Sequence, residues 1–397
     1  MFSVSKSLFA RACAATMASF AWIFAGASLF ALPAVAQTYP SKPVRVIVPF
    51  APGGRVGSRR GGRCWGGDGA RTPGLLHWVL RWFATWLFAG ASLFALPAVA
   101  QTYPSKPVRV IVPFAPGGGS DITARQVSQK LSEQLGQQFV VDNRGGAGGI
   151  IGMEITAKSV PDGYTIMIMS GSFSASAATH KPAFDPINTI IPVIEVGFTP
   201  FVLSVHPSVP AKNTREFIAL ARAKPGELIY ASSGAGGLTH LATELMSSMA
   251  KIKMIHVPYK STGPAMTDVL AGQCQLIVGS LLPTVPFFQT GKLRPLAVTT
   301  AKRWYSLPDV PTMAETLPGY EVELWFGVMA PKGTPPATIE RLNAAVNRFL
   351  QEPEMKKNLD AQGMIPSGGT PEKFGQRIRK DYERWLRVVK EAGIKAE

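Results

Sequence analysis

Two short stretches carry residue types at a spacing that could hold an anion. The first, Gly117-Gly118-Gly119-Ser120-Asp121, follows the β-branched run Val108–Val112 and precedes Ile122, Val127 and Leu131 at helical spacing. The second, Ser233-Gly234-Ala-Gly-Gly237, lies between Leu228-Ile-Tyr-Ala-Ser232 and a helix expected over 238–250. A glycine turn at the end of a buried strand lets the backbone take positive φ. It also aims the unpaired N–H groups of the next helix at whatever sits above it. Ser120 or Asp121 is the expected N-cap, a role that would occupy the Asp121 carboxylate instead of leaving it to repel an anion. Each turn alone could be a tight connection with nothing bound. Two of them, with hydroxyl-bearing junctions at Ser170-Gly-Ser172-Phe-Ser174 and Lys260-Ser-Thr262, favour a small anionic solute held between them.

Other chemistries fit less well. A nucleotide- or dinucleotide-dependent α/β enzyme using the glycine turns for phosphate is the alternative reading. The phosphate-loop spacing Gly-x-x-x-x-Gly-Lys-Ser/Thr is absent, however, and Gly234-Ala-Gly236 is followed by Thr239 where the dinucleotide fingerprint needs glycine. No Gly-x-Ser-x-Gly elbow offers a nucleophile. His180, His206, His240 and His256 are scattered, and only His240, one turn into the second glycine-opened helix, is placed at the ligand. The histidines do not pair at metal-ligand spacing, so no metal, cofactor or catalytic residue is expected.

The elements that must position these turns alternate. Strands are expected at Val108–Val112, 139–142, 164–170, 201–205, 228–232, 255–259, 275–279, 293–299 and 321–329, with helices between them and three more at the C-terminus, near 336–350, 353–362 and 370–392. Asn213 with Glu216 makes a capping box for the helix at 217–223. Strand–helix alternation argues for α/β architecture with two parallel sheets.

The 397 residues are 46% hydrophobic and 17% charged, as for a globular protein. The net charge of +16 reads as a nucleic-acid signal until it is divided. Residues 1–100 hold 10 of the 41 Lys/Arg and 1 of the 25 Asp/Glu, which leaves the remainder at +7 with no basic run, so no nucleic-acid partner is expected. Lys6 and Arg11 precede an uncharged run from Ala12 ending in Ala34-Val35-Ala36, the pattern of a secretory signal peptide over 1–36, with a membrane anchor as the alternative. Cys13, Cys64 and Cys274 leave one thiol after processing and no disulfide framework. Phe24–Gly54 recurs unchanged as Phe88–Gly118. Because the copied unit contains the signal-like run and stops inside the strand–turn–helix element, 37–101 reads as a duplicated, aberrant segment. Residues from about 102 onward read as the functional protein.

Tyr103-Pro-Ser-Lys-Pro-Val-Arg-Val-Ile-Val-Pro-Phe-Ala-Pro-Gly-Gly-Gly-Ser-Asp121, Val141-Asp-Asn-Arg-Gly-Gly-Ala-Gly-Gly149, Pro161-Asp-Gly-Tyr164, Tyr230-Ala-Ser-Ser-Gly234 with Thr239-His-Leu241, Val257-Pro-Tyr-Lys260 and Leu307-Pro-Asp-Val-Pro-Thr312 resemble the Bug-type, TctC-like solute-binding proteins of the tripartite tricarboxylate transporter family. The resemblance runs from Tyr103 to the C-terminus. It implies a monomeric, periplasmic, two-lobed binding protein of the type II class, with parallel-rich sheets flanked by helices and a ligand cleft between lobes. Lobe 1 would be 102–201 with 323–397, and lobe 2 would be 202–322. It implies capture of a small carboxylate and delivery to membrane permease subunits. The ligand-binding positions it implies are Phe114, Gly117, Gly118, Gly119, Ser120, Asp121, Ser170, Ser172, Ser233, Gly234, Gly237 and Thr239. Relatives of this type commonly carry a hydroxylic residue and an Asp where this sequence has Gly237 and Gly279. The loss of that Asp, together with the neighbouring Leu281 and Leu282, favours a non-amino carboxylate with an apolar or aromatic body.

Overall fold

In the computed structural model, β1 (Val108–Val112) has the near-continuous burial of a strand covered on both faces: Val108, Val110, Ile111 and Val112 are all inaccessible to solvent. The structure describes residues 103–180 and 182–394; the expected signal peptide and the 37–101 segment lie outside the described residues. β1 leads into α1 (Gly119–Leu135), which stops at Gly136 in the left-handed conformation, and the chain returns as β2 (Phe139–Asn143), parallel to β1. After α2 (Ile150–Ala157), β3 (Thr165–Ser170) pairs in parallel on the other side of β1, followed by α3 (Ser172–His180) and α4 (Pro186–Thr189).

The next strand organises the molecule. β4 (Ile190–Val205) is 16 residues long and serves two sets of partners. Its first part, Ile190–Pro200, pairs antiparallel with β9 (Glu323–Pro331), and its last part, Phe201–Val205, pairs antiparallel with β7 (Leu276–Ser280) on one side and β8 (Arg294–Val298) on the other. The sequence pattern places a strand only over 201–205, because Pro192, Gly197 and Pro200 interrupt the earlier stretch. The register shifts between Pro192 and Ile194 and between Glu195 and Gly197 are the bulges that let the strand contain Pro192 and Gly197, while Pro200 stands where β4 changes partners.

Beyond α5 (Thr214–Ala223), β5 (Ile229–Ser232), α6 (Leu238–Ala250), β6 (Ile255–Pro258) and α7 (Thr262–Leu270) form two successive crossovers that lay β5 parallel to both β6 and β7. Asn213 caps α5 by accepting from the Glu216 N–H, while the Glu216 carboxylate reaches back to the Lys212 N–H and the Asn213 side-chain amide. After α8 (Val285–Gln289) and β8, the chain crosses back through 299–322 into β9, which lies antiparallel to β3 as well as to β4. α9 (Pro336–Leu350), α10 (Pro353–Ala361), the short β10 (Ile365–Pro366) and α11 (Pro371–Ala392) then close the first half of the molecule. The expectation of two parallel sheets is therefore corrected: in the first half the parallel strands β2, β1 and β3 are bordered by antiparallel β9, which in turn pairs antiparallel with β4, and in the second the parallel strands β6, β5 and β7 are bordered by antiparallel β4. The reason is that a strand shared by both halves, and the strand that returns beside it, must run against their neighbours. At the two crossing points Thr299 Oγ1 accepts from the Phe201 N–H at 2.9 Å and donates to the Val322 carbonyl at 2.7 Å, tying the passages together.

Candidate functional site

Four helices open toward one cavity, each at the carboxyl end of a parallel strand. α1 follows β1, α3 follows β3, α6 follows β5 and α7 follows β6, and Ser280 ends β7 at the same place. The cavity is lined by Phe114, Gly119, Ser120, Ser170, Ser172, Phe201, Ser233, Thr239, Ser261, Thr262, Ser280, Leu324 and Phe326. Among the described residues, its polar lining is eight hydroxyls, with no charged side chain. The N-caps of α1, α6 and α7 are Gly118, Gly237 and Ser261, none of which caps its helix with a side-chain hydrogen bond. The first turns of α6 and α7 carry no acidic residue, so their N–H groups and positive dipole ends face the cavity without a carboxylate of their own, whereas the first turn of α1 contains Asp121. The cavity is small, about 20 Å3. A dicarboxylate needs more, so binding requires the walls to part.

The walls touch across the glycine turns. The Ala115 N–H donates to the Lys260 carbonyl at 3.0 Å, and the Leu238 N–H donates to Ser172 Oγ at 3.3 Å. Of the three glycines only Gly117 has positive φ, at 84°. Gly118 and Gly119 are needed for close approach: a Cβ at Gly118 would overlap Ser261 Oγ, and one at Gly119 would overlap Ser280 Oγ and the Phe326 ring. The first turn is therefore shaped by the opposite wall as much as by any ligand.

Of the residues singled out in the sequence, Phe114, Gly119, Ser120, Ser170, Ser172, Ser233 and Thr239 meet at the cavity, whereas Gly117, Gly118, Asp121, Gly234, Gly237 and His240 are not part of its lining. The expected N-cap is corrected. Gly118 holds that position, and Asp121, inside the first turn and 4% exposed, accepts from the Gly117 N–H, Arg125 Nε and the Asn143 side-chain amide. Burial alone would raise its carboxyl, but those partners hold it below the ordinary range, so it is occupied as expected though by a different arrangement. His240 is also corrected: its Nδ1 accepts from the Gly236 N–H at 3.0 Å and its ring stacks on His256, which directs it away from the cavity. Leu281 and Leu282 are core residues, and a Cβ at Gly279 would meet Ile277 and Thr262, so the expected extra room does not open there.

The sequence pattern noted the junction that holds Ser261 and Thr262 but did not place Phe201, Ser280, Leu324 and Phe326 at the site. Ser261 and Thr262 sit in the noted hydroxyl junction, and Ser280 repeats the strand-end serine seen at Ser170. The aromatic and leucine side chains come from β4 and β9, whose pairing no local pattern reveals. Ser280 Oγ is buried with no hydrogen-bond partner, the mark of a group whose partner enters the cavity.

With the geometry established, comparison gives its kin. A family profile described as the tripartite tricarboxylate transporter family receptor matches residues 123–394. BugT of Bordetella pertussis is 37% identical over 313 residues, covering 78% of this chain and 96% of that protein. Among solved structures, Rpa4515 of R. palustris with adipate is 38% identical with a TM-score of 0.71, covering 74% of this chain and 99% of that one. MatC of Rhodopseudomonas palustris with bound malate is 30% identical with a TM-score of 0.70 over 72% of this chain and all of that one. The periplasmic binding protein BugD is 31% identical with a TM-score of 0.71 over 74% of this chain and all of that one.

Proposed function

The chain belongs to the tripartite tricarboxylate transporter receptor family, whose members are two-lobed solute-binding proteins and not enzymes, and from that membership we propose that it captures a small carboxylate in the periplasm and delivers it to the membrane permease subunits of a tripartite transporter. The observation that carries the reading is the convergence of four helix N-termini on a cavity lined by hydroxyls with no cationic or acidic side chain. Such a site attracts carboxylates through N–H groups and dipoles, each end contributing roughly 0.3–1 kcal/mol and up to about 2 when partly buried. Adipate in Rpa4515 and malate in MatC support the same ligand class. The lobes we assign are 102–201 with 323–397 and 202–322, divided where β4 changes partners and where 299–322 crosses back. A signal sequence within 1–36 would direct the chain to the periplasm, and it would act there as a monomer.

The ligand we propose has no amino group. An ammonium among four positive helix ends would need a carboxylate partner. None lines the cavity among the described residues; Asp121, next to Ser120, is bound to Gly117, Arg125 and Asn143, and Glu323, next to Leu324, is paired with Arg377. Phe114, Phe201, Leu324 and Phe326 supply the apolar surface for a carbon chain or ring. Calorimetry with matched pairs tests this: succinate should bind more tightly than aspartate, and glutarate more tightly than glutamate. Tighter amino acid binding in both pairs would overturn it.

A further inference from the structure

The second glycine turn is braced from behind by a column of rings. Tyr230 on β5, His256 on β6 and His240 on α6 lie nearly parallel, with His240 and His256 centroids 4.1 Å apart at 5° and Tyr230 and His256 centroids 4.8 Å apart at 14°. Each histidine reaches the turn through a different atom. His240 Nδ1 accepts the Gly236 N–H at 3.0 Å; His256 Nε2 lies 2.7 Å from Ser232 Oγ, which accepts the Gly234 N–H at 3.1 Å. Gly234 and Gly236 both have positive φ, 137° and 68°, so the turn has a conformation that its own backbone does not otherwise favour. The same turn carries Ser233 into the cavity, where its N–H and hydroxyl meet Thr239 Oγ1, both at 2.8 Å.

We propose that His240 and His256 are positioning residues for ligand binding: they touch no ligand themselves, but by bonding the Gly236 N–H and, through Ser232, the Gly234 N–H they fix the turn that presents Ser233 and Thr239 to the solute. The inference rests on the reading of this cavity as the carboxylate site. An acceptor at His240 Nδ1 requires a ring that carries its proton on Nε2. Burial first, and His240 alongside, push His256 down to about 3, so the His256 ring stays neutral near pH 7. Glu244, hydrogen-bonded to Tyr230, and His180, packed against Gly236, also face this column.

The test separates acceptor chemistry from mere packing. In His240→Asn the side-chain Oδ1 can fall where Nδ1 was; His240→Leu keeps similar bulk and loses the acceptor. Leaving a buried N–H unpaired should speed amide exchange at Gly236 and weaken adipate binding by about tenfold, the scale of one lost buried hydrogen bond. The full-length chain, 15N-labelled, is compared as wild type, His240→Asn and His240→Leu by exchange at Gly236 and by calorimetry with adipate, with His256→Gln and His256→Leu read in parallel at Gly234. We expect Asn and Gln to hold exchange and affinity within about threefold of wild type and both Leu variants to lose about tenfold. Equal loss in the Asn and Leu variants, or wild-type protection of Gly236 in His240→Leu, would overturn the inference. Failure of wild type to bind adipate or malate would count against the proposed function, while exchange at the two glycines decides the positioning role without any ligand.

Discussion

Gly263, in the first turn of α7, offers a substitution whose two effects have opposite signs. A Cβ there would lie 2.6 Å from the Pro116 carbonyl oxygen, 3.0 Å from Gly117 C and 3.2 Å from Gly117 Cα, all backbone atoms of the facing wall that no side-chain rotation can move aside. Relieving the first contact requires the walls to part by roughly 0.5–1 Å, and overpacking of this kind costs about 1–3 kcal/mol. Taken near 2 kcal/mol and charged to the closed form alone, that is about a thirtyfold increase in Kd. Gly263 has helical backbone, so with the walls apart alanine replaces glycine in a helix and gains up to about 1 kcal/mol. Gly263→Ala should therefore weaken adipate or malate by about thirtyfold in calorimetry while leaving the ligand-free melting temperature equal to wild type or slightly higher. Unchanged affinity would refute the reasoning that closure brings Gly263 against Pro116; a lowered ligand-free melting temperature would show that the two walls do not separate.

Two further outcomes follow from the same structure. His256 is neutral in the fold and held far below the ordinary imidazole value, so its contribution is full above about pH 6.5 and is lost as pH falls from there toward 3. At pH 5 the loss is about 1 kcal/mol after discounting for the partly exposed ring. Urea unfolding at pH 7.5 and 5 should show it in wild type and not in His256→Gln, and an equal difference in both would remove His256 as the cause. A fragment of residues 102–397 should unfold cooperatively and bind adipate as the whole chain does, since every residue of the cavity lies within it. A cooperative transition in the longer chain alone would show that 1–101 is needed for folding.

What local sequence could reveal was the strand–turn–helix logic. β1 with α1 and β5 with α6 stand where buried β-branched runs and glycines place them, because those signals are short-range. β4 was half hidden, since Pro192 and Gly197 are accommodated at bulges that depend on β9 as partner, and Pro200 falls where the strand changes partners. The hydroxyl junctions at Ser170-Gly-Ser172 and Ser261-Thr262 were legible from strand ends and Ser233 and Thr239 from the family resemblance, whereas Phe201, Leu324 and Phe326 were not. Their place depends on long-range antiparallel pairing: Phe201 lies opposite Ser280 of β7, and Leu324 and Phe326 lie opposite Thr199 and Gly197 of β4. His240 was drawn to the cavity by its position on the helix; the stack with His256 that turns it away is a contact between α6 and β6 that spacing does not encode.

The central claim is that four helix ends and a hydroxyl-lined cavity make a site for a carboxylate and not for a nucleotide. Thermal unfolding of the protein with a panel of mono- and dicarboxylates, amino acids and nucleotides tests it most directly. A ligand at a hundredfold excess over its Kd should stabilise the fold by roughly 2.7 kcal/mol. The account predicts that gain for at least one non-amino carboxylate and none for nucleotides; stabilisation by nucleotides alone would contradict it.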